Sequence, residues 1–262
     1  MKKILLVDTS SDALYVSLAQ KRPEDRVPVI LESDNFQLAS QHGVSLLPKI
    51  QEVLSHQKWD PKEITDIFVG RGPGSYTGLR IGMTLAKMWA HVHDCRLTTV
   101  SSLALMASGV KETDAWLIPV VDARRMTAYT AIYQWNSSGH LVPIMADQHI
   151  DWHDWCLKLI TRARVANQTQ VILIGQNIDA FVEVLTDMAP GLTINGYQAL
   201  NSDHPSLPFY AIANNEEIQD IHTLAPNYAH ATLAEQEWAE KYQKSLANEA
   251  DHERFIEHFS GT

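Results

Sequence analysis

The pattern that most restricts this fold is an apolar strand closed by an aspartate, and it occurs twice. Ile4-Leu5-Leu6-Val7 runs into Asp8-Thr9-Ser10, and Trp116-Leu117-Ile118-Pro119-Val120-Val121 runs into Asp122. A run that is apolar at successive positions reads as a strand covered on both faces, which belongs in the middle of a layered α/β sheet. Alternating segments follow each run: Leu14 to Ala19 and Val29 to Leu31 after the first, Thr127 to Trp135 and Leu141 to Met145 after the second. Helical spacing then appears over Ser40 to His56, with Val44, Leu47, Ile50 and Leu54 as its apolar stripe, and over Trp152 to Arg164. Buried strands Ile64 to Val69 and Val171 to Gly175 come next. The first unit continues with a helix Leu79 to His91, a strand Leu97 to Val100 and a helix Ser102 to Ser108. The second continues with a helix Ile178 to Met188 and a polar stretch Asn195 to Pro208. The chain is therefore predicted to be α/β, with two ββαβα-type units built on mixed sheets. The expected boundaries are 1–108, 109–225 and an acidic helical tail over 226–262.

Charge and composition remove several classes of function. The 262 residues carry 21 Lys and Arg against 31 Asp and Glu, a formal charge of −10, and 45% are hydrophobic. That supports a packed core, while an acidic surface opposes direct binding to a phosphate backbone. The apolar run behind Lys2-Lys3 is stopped at Asp8, far short of a signal-peptide core or the roughly 20 residues of a spanning helix. A cytoplasmic protein without membrane contact is expected. Two cysteines, Cys95 and Cys156, exclude a disulfide framework and a four-thiolate metal site.

Three features could carry chemistry. Asp8-Thr9-Ser10 puts a carboxylate and two hydroxyls on a tight turn, where backbone amides can face a phosphate and the carboxylate can hold a metal-bound water. Asp122 occupies the matching corner of the second unit. Two such turns across a cleft form the nucleotide site of the actin, hexokinase and Hsp70 class, although an aspartate also caps turns without further function. The loop Gly70-Arg71-Gly72-Pro73-Gly74-Ser75-Tyr76-Thr77-Gly78 opens a helix, with Ser75 or Thr77 as N-cap, and its Gly72, Gly74 and Ser75 could cradle an anion. It lacks the Lys-Ser/Thr of a P-loop and the spacing of a dinucleotide fingerprint. In the following helix Gly78, Gly82, Ala86 and Ala90 form a stripe of small residues along which another element can approach closely. Metal candidates are weak. His91, His93 and Cys95 alternate as in a strand, and His149 and His153 have the i, i+4 spacing of a helical pair without a third ligand.

The glycine loop together with Asp8-Thr9-Ser10, Gln41-His42-Gly43-Val44-Ser45-Leu46-Leu47-Pro48, Leu79-Arg80-Ile81-Gly82, Val100-Ser101-Ser102-Leu103 and Val121-Asp122-Ala123-Arg124-Arg125 resembles the TsaB (YeaZ) family. The likeness covers the first half in order; Gly175 and Pro226-Asn227-Tyr228 extend it toward the end. It implies the ASKHA (actin/hexokinase/Hsp70-like) fold and a role in placing the N6-threonylcarbamoyl group on adenosine 37 of tRNAs reading ANN codons. In that pathway TsaD is the transferase, TsaB its scaffold or activator, and TsaE a P-loop ATPase that binds their complex. The glycoprotease label of the older M22-like classification is a misnomer on this reading.

The resemblance also divides the labour. The metal-binding H-x-x-x-H motif of TsaD falls here on Ser102 and Met106, a hydroxyl and a thioether that cannot replace two imidazoles. Where TsaD cradles adenosine with paired glycines, Gly175 is followed by Gln176-Asn177. A non-catalytic subunit without cofactor is expected, with Asp8, Thr9, Ser10, Gly72, Gly74, Ser75 and Asp122 as a vestigial nucleotide or anion site. It is expected to pair with TsaD, or with itself when alone, through its first two helices, and to meet tRNA only through its partner. Leu46, Ile50, Met83 and Lys87 are the expected interface residues. The competing readings are an ATP-dependent kinase or transferase using Asp8 and Asp122, and a metalloprotease built on His149 and His153.

Overall fold

The computed structural model describes residues 1–37, 41–198, 208–212 and 215–229. Most of the acidic tail, 230–262, lies outside the described residues. The first sheet holds β1 (Lys2–Asp8), β2 (Ala13–Lys21), β3 (Val29–Gln37), β4 (Asp66–Gly70), β5 (Arg96–Val100) and β11 (Glu216–Glu217), in the order β11-β5-β4-β1-β2-β3. The second holds β6 (Trp116–Asp122), β7 (Thr127–Trp135), β8 (Leu141–Asp151), β9 (Gln170–Gly175) and β10 (Thr193–Gln198), in the order β10-β9-β6-β7-β8. Both are mixed. β1 and β6 are antiparallel to the strand that follows them and parallel to β4 and β9 respectively. Setting β11 aside, the two sheets have the same topology, as the repeated strand-aspartate pattern predicts.

Among the described residues five α-helices fill the layers: α1 (His42–His56), α2 (Tyr76–His93), α3 (Ser102–Ser108), α4 (Trp152–Ala166) and α5 (Asp179–Met188). Leu5 and Val7 of β1 face α1 and α2 together with Ile50, Val53, Met83 and Trp89, whereas Ile4 and Leu6 face the opposite way, onto α3. That division is why β1 is apolar at every turn of its pleat. Every residue of α3 is buried, because α3 is packed between the two sheets, touching β1 residues on one side and Leu117, Ala131 and Ile172 on the other. The outer face of the second sheet is covered by α4 and α5, where Trp152 stacks on Trp155 at 4.8 Å and donates its indole N–H to the Phe181 carbonyl. The layers run α1/α2, first sheet, α3, second sheet, α4/α5.

Four sequence expectations change. The polar stretch from Asn195 contains most of β10, which pairs parallel to β9 and completes the duplication. Backbone pairing rather than side-chain hydropathy defines that edge strand. His91 and His93 lie on α2, not on a strand, because the helix runs on to an αL cap at Asp94. The apolar stripe of α1 is His42, Leu46, Ile50, Val53 and Leu54, so Val44 (75% exposed) and Leu47 (45%) point outward. Finally, residues 215–229 return to the first half: β11 extends the first sheet, Ile218, Ile221 and Leu224 pack beside α2, and Lys87 Nζ donates to the carbonyls of His222 and Leu224.

The small-residue stripe of α2 also finds its partner within the chain. A Cβ on Gly78 would run into the Thr9 carbonyl oxygen, one on Gly82 would meet the Thr9 hydroxyl, and that hydroxyl donates to the Gly78 carbonyl at 2.7 Å. Gly78→Ala is expected to cost about 1–3 kcal/mol through overpacking against backbone that cannot yield. Gly191→Ala, with nothing within 4 Å of the new methyl group, is expected to stay within about 0.5 kcal/mol. Urea unfolding of the two variants beside the parent chain measures the difference.

Candidate functional site

β1 delivers Asp8 to the C-terminal edge of the first sheet, where the glycine loop meets it. One carboxylate oxygen accepts the Ser10 N–H (3.2 Å) and the Ser102 hydroxyl (3.0 Å); the other accepts the Ser10 hydroxyl (2.9 Å). Ser102 Oγ in turn accepts the Gly72 N–H at 3.0 Å, and the Ser75 N–H donates to the Ser10 carbonyl at 2.7 Å. The Ser10, Gly72 and Ser75 amides are therefore spent on the protein itself. A Cβ at Gly74 would strike the Ser10 backbone, and Gly72, at φ +102°, lies against the Asn227 carbonyl. Ser75 caps α2 by accepting the Gly78 N–H. The corner Asp8-Thr9-Ser10-Gly72-Gly74-Ser75 is thus brought together as the sequence suggests, but as a closed structural joint. It does not fit a nucleotide phosphate or a metal-bound water.

The partner corner lies elsewhere. Asp122 is exposed and accepts the Arg124 N–H at 2.7 Å, capping a turn in which Arg124, Arg125 and Met126 all have left-handed φ (+72°, +52°, +55°). Neither Asp8 nor Asp122 lines any of the three main cavities among the described residues. Gly175 sits against the Val120 backbone and Asn177 adopts φ +54°, so this turn packs on β6. His149 lies on β8 beside Tyr129 and Thr127 Oγ1, while His153 lies on α4, two residues past its Asp151 N-cap. The pair does not share a helix, which removes the spacing argument for a metal. Met106 is core. Among the described residues no three His, Cys, Asp or Glu side chains converge as a metal site.

The helices show a different kind of surface. Leu46, Ile50 and Met83 are at most 3% exposed and form the floor beneath α1 and α2, so they are not available as contact residues, a correction that follows from the rotated face of α1. Lys87 is tied to the 222–224 carbonyls. What faces outward between the helices is a shallow groove of 530 Å³ bordered by Leu47, Tyr76, Arg80, Ile81, Thr84 and Met88. A second hollow of 440 Å³ shares Leu47 and Met88 and runs on to Val92. Val44, Leu47, Tyr76, Met88 and Val92 are all 45% exposed or more. At one rim Arg80 lies over the Tyr76 ring at 4.7 Å, and Tyr76 stacks on Tyr228 at 4.8 Å. Sequence periodicity missed this face because Val44 and Leu47 are apolar and were counted as core. The one available signal was that α2 is apolar most of the way round.

Burial pushes the Asp8 carboxyl above its ordinary value, and the hydrogen bonds from Ser10, Ser102 and Thr9 only partly offset this. The folded chain then holds more protons at Asp8 than the unfolded chain does, so the Asp8 contribution to stability falls as pH rises from the usual 3.8 through the folded pKa. Asp8→Asn, which keeps one acceptor oxygen for the Ser10 N–H and the Ser102 hydroxyl and sets an NH2 against the Ser10 hydroxyl, which can turn to accept it, is expected to fold and to gain on the parent chain as pH rises across that window. Asp8→Ala leaves the Ser10 N–H and the Ser102 hydroxyl unpaired and is expected to cost about 1–3 kcal/mol. Denaturant midpoints of the three proteins across pH test both statements.

Comparison with known proteins is consistent with this geometry. The family described as "TsaD: tRNA N6-adenosine threonylcarbamoyltransferase" matches residues 37–238. The tRNA threonylcarbamoyladenosine biosynthesis protein TsaB of Bacillus subtilis is 33% identical over 238 residues, covering 90% of this chain and 98% of its own length. The protein of the same name from Escherichia coli is 31% identical over 140 residues, 52% of this chain and 57% of its own. Among solved structures, a Pseudomonas aeruginosa protein described as uncharacterized with similarity to peptidase YeaZ superposes with a TM-score of 0.66 at 21% identity, covering 88% of this chain and all of that one. YeaZ from Pseudomonas aeruginosa superposes with a TM-score of 0.50 at 24% identity, over 58% of this chain and 68% of that one. The duplicated mixed sheets are those of the ASKHA fold. A relative aligned along nearly its whole length, on a chain carrying the same fold, makes this protein a member of the TsaB (YeaZ) family.

Proposed function

We propose that this chain is the non-catalytic partner subunit of a TsaD-type transferase, required for N6-threonylcarbamoyl modification of adenosine 37 in tRNAs reading ANN codons. The observation that carries the reading is the uncovered apolar face of α1 and α2, beside a nucleotide corner closed by the protein's own side chains. An apolar surface of this kind on a folded chain is characteristic of a docking site. The names of its relatives supply the pathway, tRNA threonylcarbamoyladenosine biosynthesis. TsaD is the occupant of the α1/α2 face in the working complex, a second copy of this chain its occupant when TsaD is absent, and a TsaE-like P-loop ATPase joins through the complex. The net charge of −10 agrees with tRNA being held by the partner rather than by this chain. We assign the protein to the cytoplasm, where tRNA is modified; among the described residues no helix is long and apolar enough to cross a membrane.

The kinase alternative has no supporting geometry, since it needs Asp8 and the loop amides free. Reconstituted tRNA modification with the cognate TsaD, TsaE and threonylcarbamoyl-adenylate synthase tests the scaffold reading. Leu47→Glu and Met88→Glu change exposed positions, so the free protein is expected to melt as before. Each is expected to weaken co-elution with TsaD by about 30-fold, the equivalent of about 2 kcal/mol for a central interface position, and to lower modification in proportion. Full modification and an intact complex with the double variant would remove the α1/α2 face from the proposal; modification that proceeds without this chain would remove the function.

A further inference from the structure

A third cavity, of 260 Å³, lies at the seam between the two halves and is lined by neither Asp8 nor Asp122. Its walls include Arg71, Thr99, Ser101 and Glu216 from the first half and Tyr133 and Asp147 from β7 and β8. Arg71 is held rigidly by its backbone, its N–H donating to the Val100 carbonyl and its own carbonyl accepting the Asn227 N–H. Its guanidinium reaches the exposed Glu216 carboxylate at 3.1 Å. Across the cavity the Asp147 carboxyl accepts the Ser101 hydroxyl at 2.6 Å and the Tyr133 hydroxyl. Ser101 Oγ also accepts the Ala104 N–H, so its own proton is directed at Asp147. Burial pushes the Asp147 and Tyr133 groups up, with the Ser101 and Tyr133 hydrogen bonds and the Arg71 charge pulling Asp147 back.

A brace between the halves would need only the Ser101–Asp147–Tyr133 hydrogen bonds. It would not need open space, nor a guanidinium facing the same space from another wall. The cavity has one anchored cation, one anchored carboxyl and hydroxyls beside that carboxyl, which is the complement of a ligand carrying both charges. At 260 Å³ it is smaller than the about 300–1,000 Å³ that suits a drug-sized molecule, and a nucleotide is too large for it. The guanidinium fork matches a carboxylate through two parallel hydrogen bonds. The Glu216 side chain is 62% exposed and that of Arg71 30%, and a partly exposed ion pair of this kind contributes little, so a ligand carboxylate can compete with Glu216 for the guanidinium. We propose that this cavity binds a small zwitterion of the α-amino acid class, its carboxylate on Arg71 and its ammonium group on Asp147. Because the walls come from both halves, the bound ligand holds the seam together and raises the stability of the whole chain.

The proposal is independent of the transferase partnership and is tested on the free full-length protein. Isothermal titration and thermal melting are run with glycine, L-serine, L-threonine and L-lysine, and with acetate and ethylamine as the two halves of a zwitterion. At least one amino acid is expected to bind at one site per chain, with a dissociation constant at least tenfold below those of acetate and ethylamine, and to raise the melting temperature. Arg71→Gln is expected to leave the free protein folded, by its circular dichroism and cooperative melting, and to weaken binding at least tenfold. Asp147→Asn is expected to weaken binding by a similar factor. No binding by any amino acid, equal binding of acetate or ethylamine, or unaltered binding by Arg71→Gln would overturn the proposal.

Discussion

The rest of the structure depends on how closely the turn after β1 sits on the first turn of α2. Thr9 and Ser10 lie against the glycines of the loop and helix at distances that leave no room for side chains, and the Thr9 hydroxyl bonds the Gly78 carbonyl inside the contact. That contact fixes the start of α2 relative to β1, and with it the angle at which α2 crosses the first sheet. Leu85, Ala86, Trp89 and Ala90 are then presented to the core, while Tyr76, Arg80 and Met88 are left on the outer side. Anion binding at the same loop would compete for the same amides. The fold already uses the Gly72, Ser75 and Gly78 N–H groups.

The second organising element is α3. A seven-residue helix is too short to be stable alone, and here it needs no intrinsic stability because both sheets bury it. Ser101 and Ser102 at its start look in different directions. Ser102 joins Asp8 to the glycine loop, and Ser101 joins the first half to Asp147 of the second. Two adjacent hydroxyls thus tie the three parts of the chain that converge there. The returning segment 215–229 adds a further tie, since Asn227 meets both Arg71 and Gly72.

The duplicated α/β architecture was legible because strands buried on both faces have a signature that turns, polar edges and solvated helices lack. β1, β6 and β9 are each apolar along nearly their whole length, and each is central. β10 was not legible because Asn195, Gly196 and Gln198 have no β-like hydropathy; its pairing with β9 comes from position after α5. The corner residues were identified correctly as neighbours, since Asp8, Ser10 and the glycine loop do meet. Their role was not readable. Whether a carboxylate beside glycines holds a phosphate or its own hydroxyls depends on how Ser102, 94 residues away, is oriented. The direction of Val44 and Leu47 was likewise beyond spacing alone, because a helix with apolar residues at 44, 46, 47, 50, 53 and 54 offers more than one stripe, and packing against β2 decides which is buried.

The two aspartate corners differ in kind: one carboxylate is folded in among hydroxyls, the other is exposed on a left-handed turn. Neither retains a free carboxylate facing a shared cleft. Meanwhile α1, which would be an ordinary amphipathic surface helix if Val44 and Leu47 were polar, keeps those two apolar side chains in water. Holding that surface exposed has a solvation cost of about 25 cal/mol for each Å². The cost is recovered only when another apolar surface covers the face, and a rigid platform lowers the ordering entropy of that encounter. The close seating of α2 on the Thr9 turn fixes that platform, so the residues that close the Asp8 corner also position the exposed apolar side chains of α2.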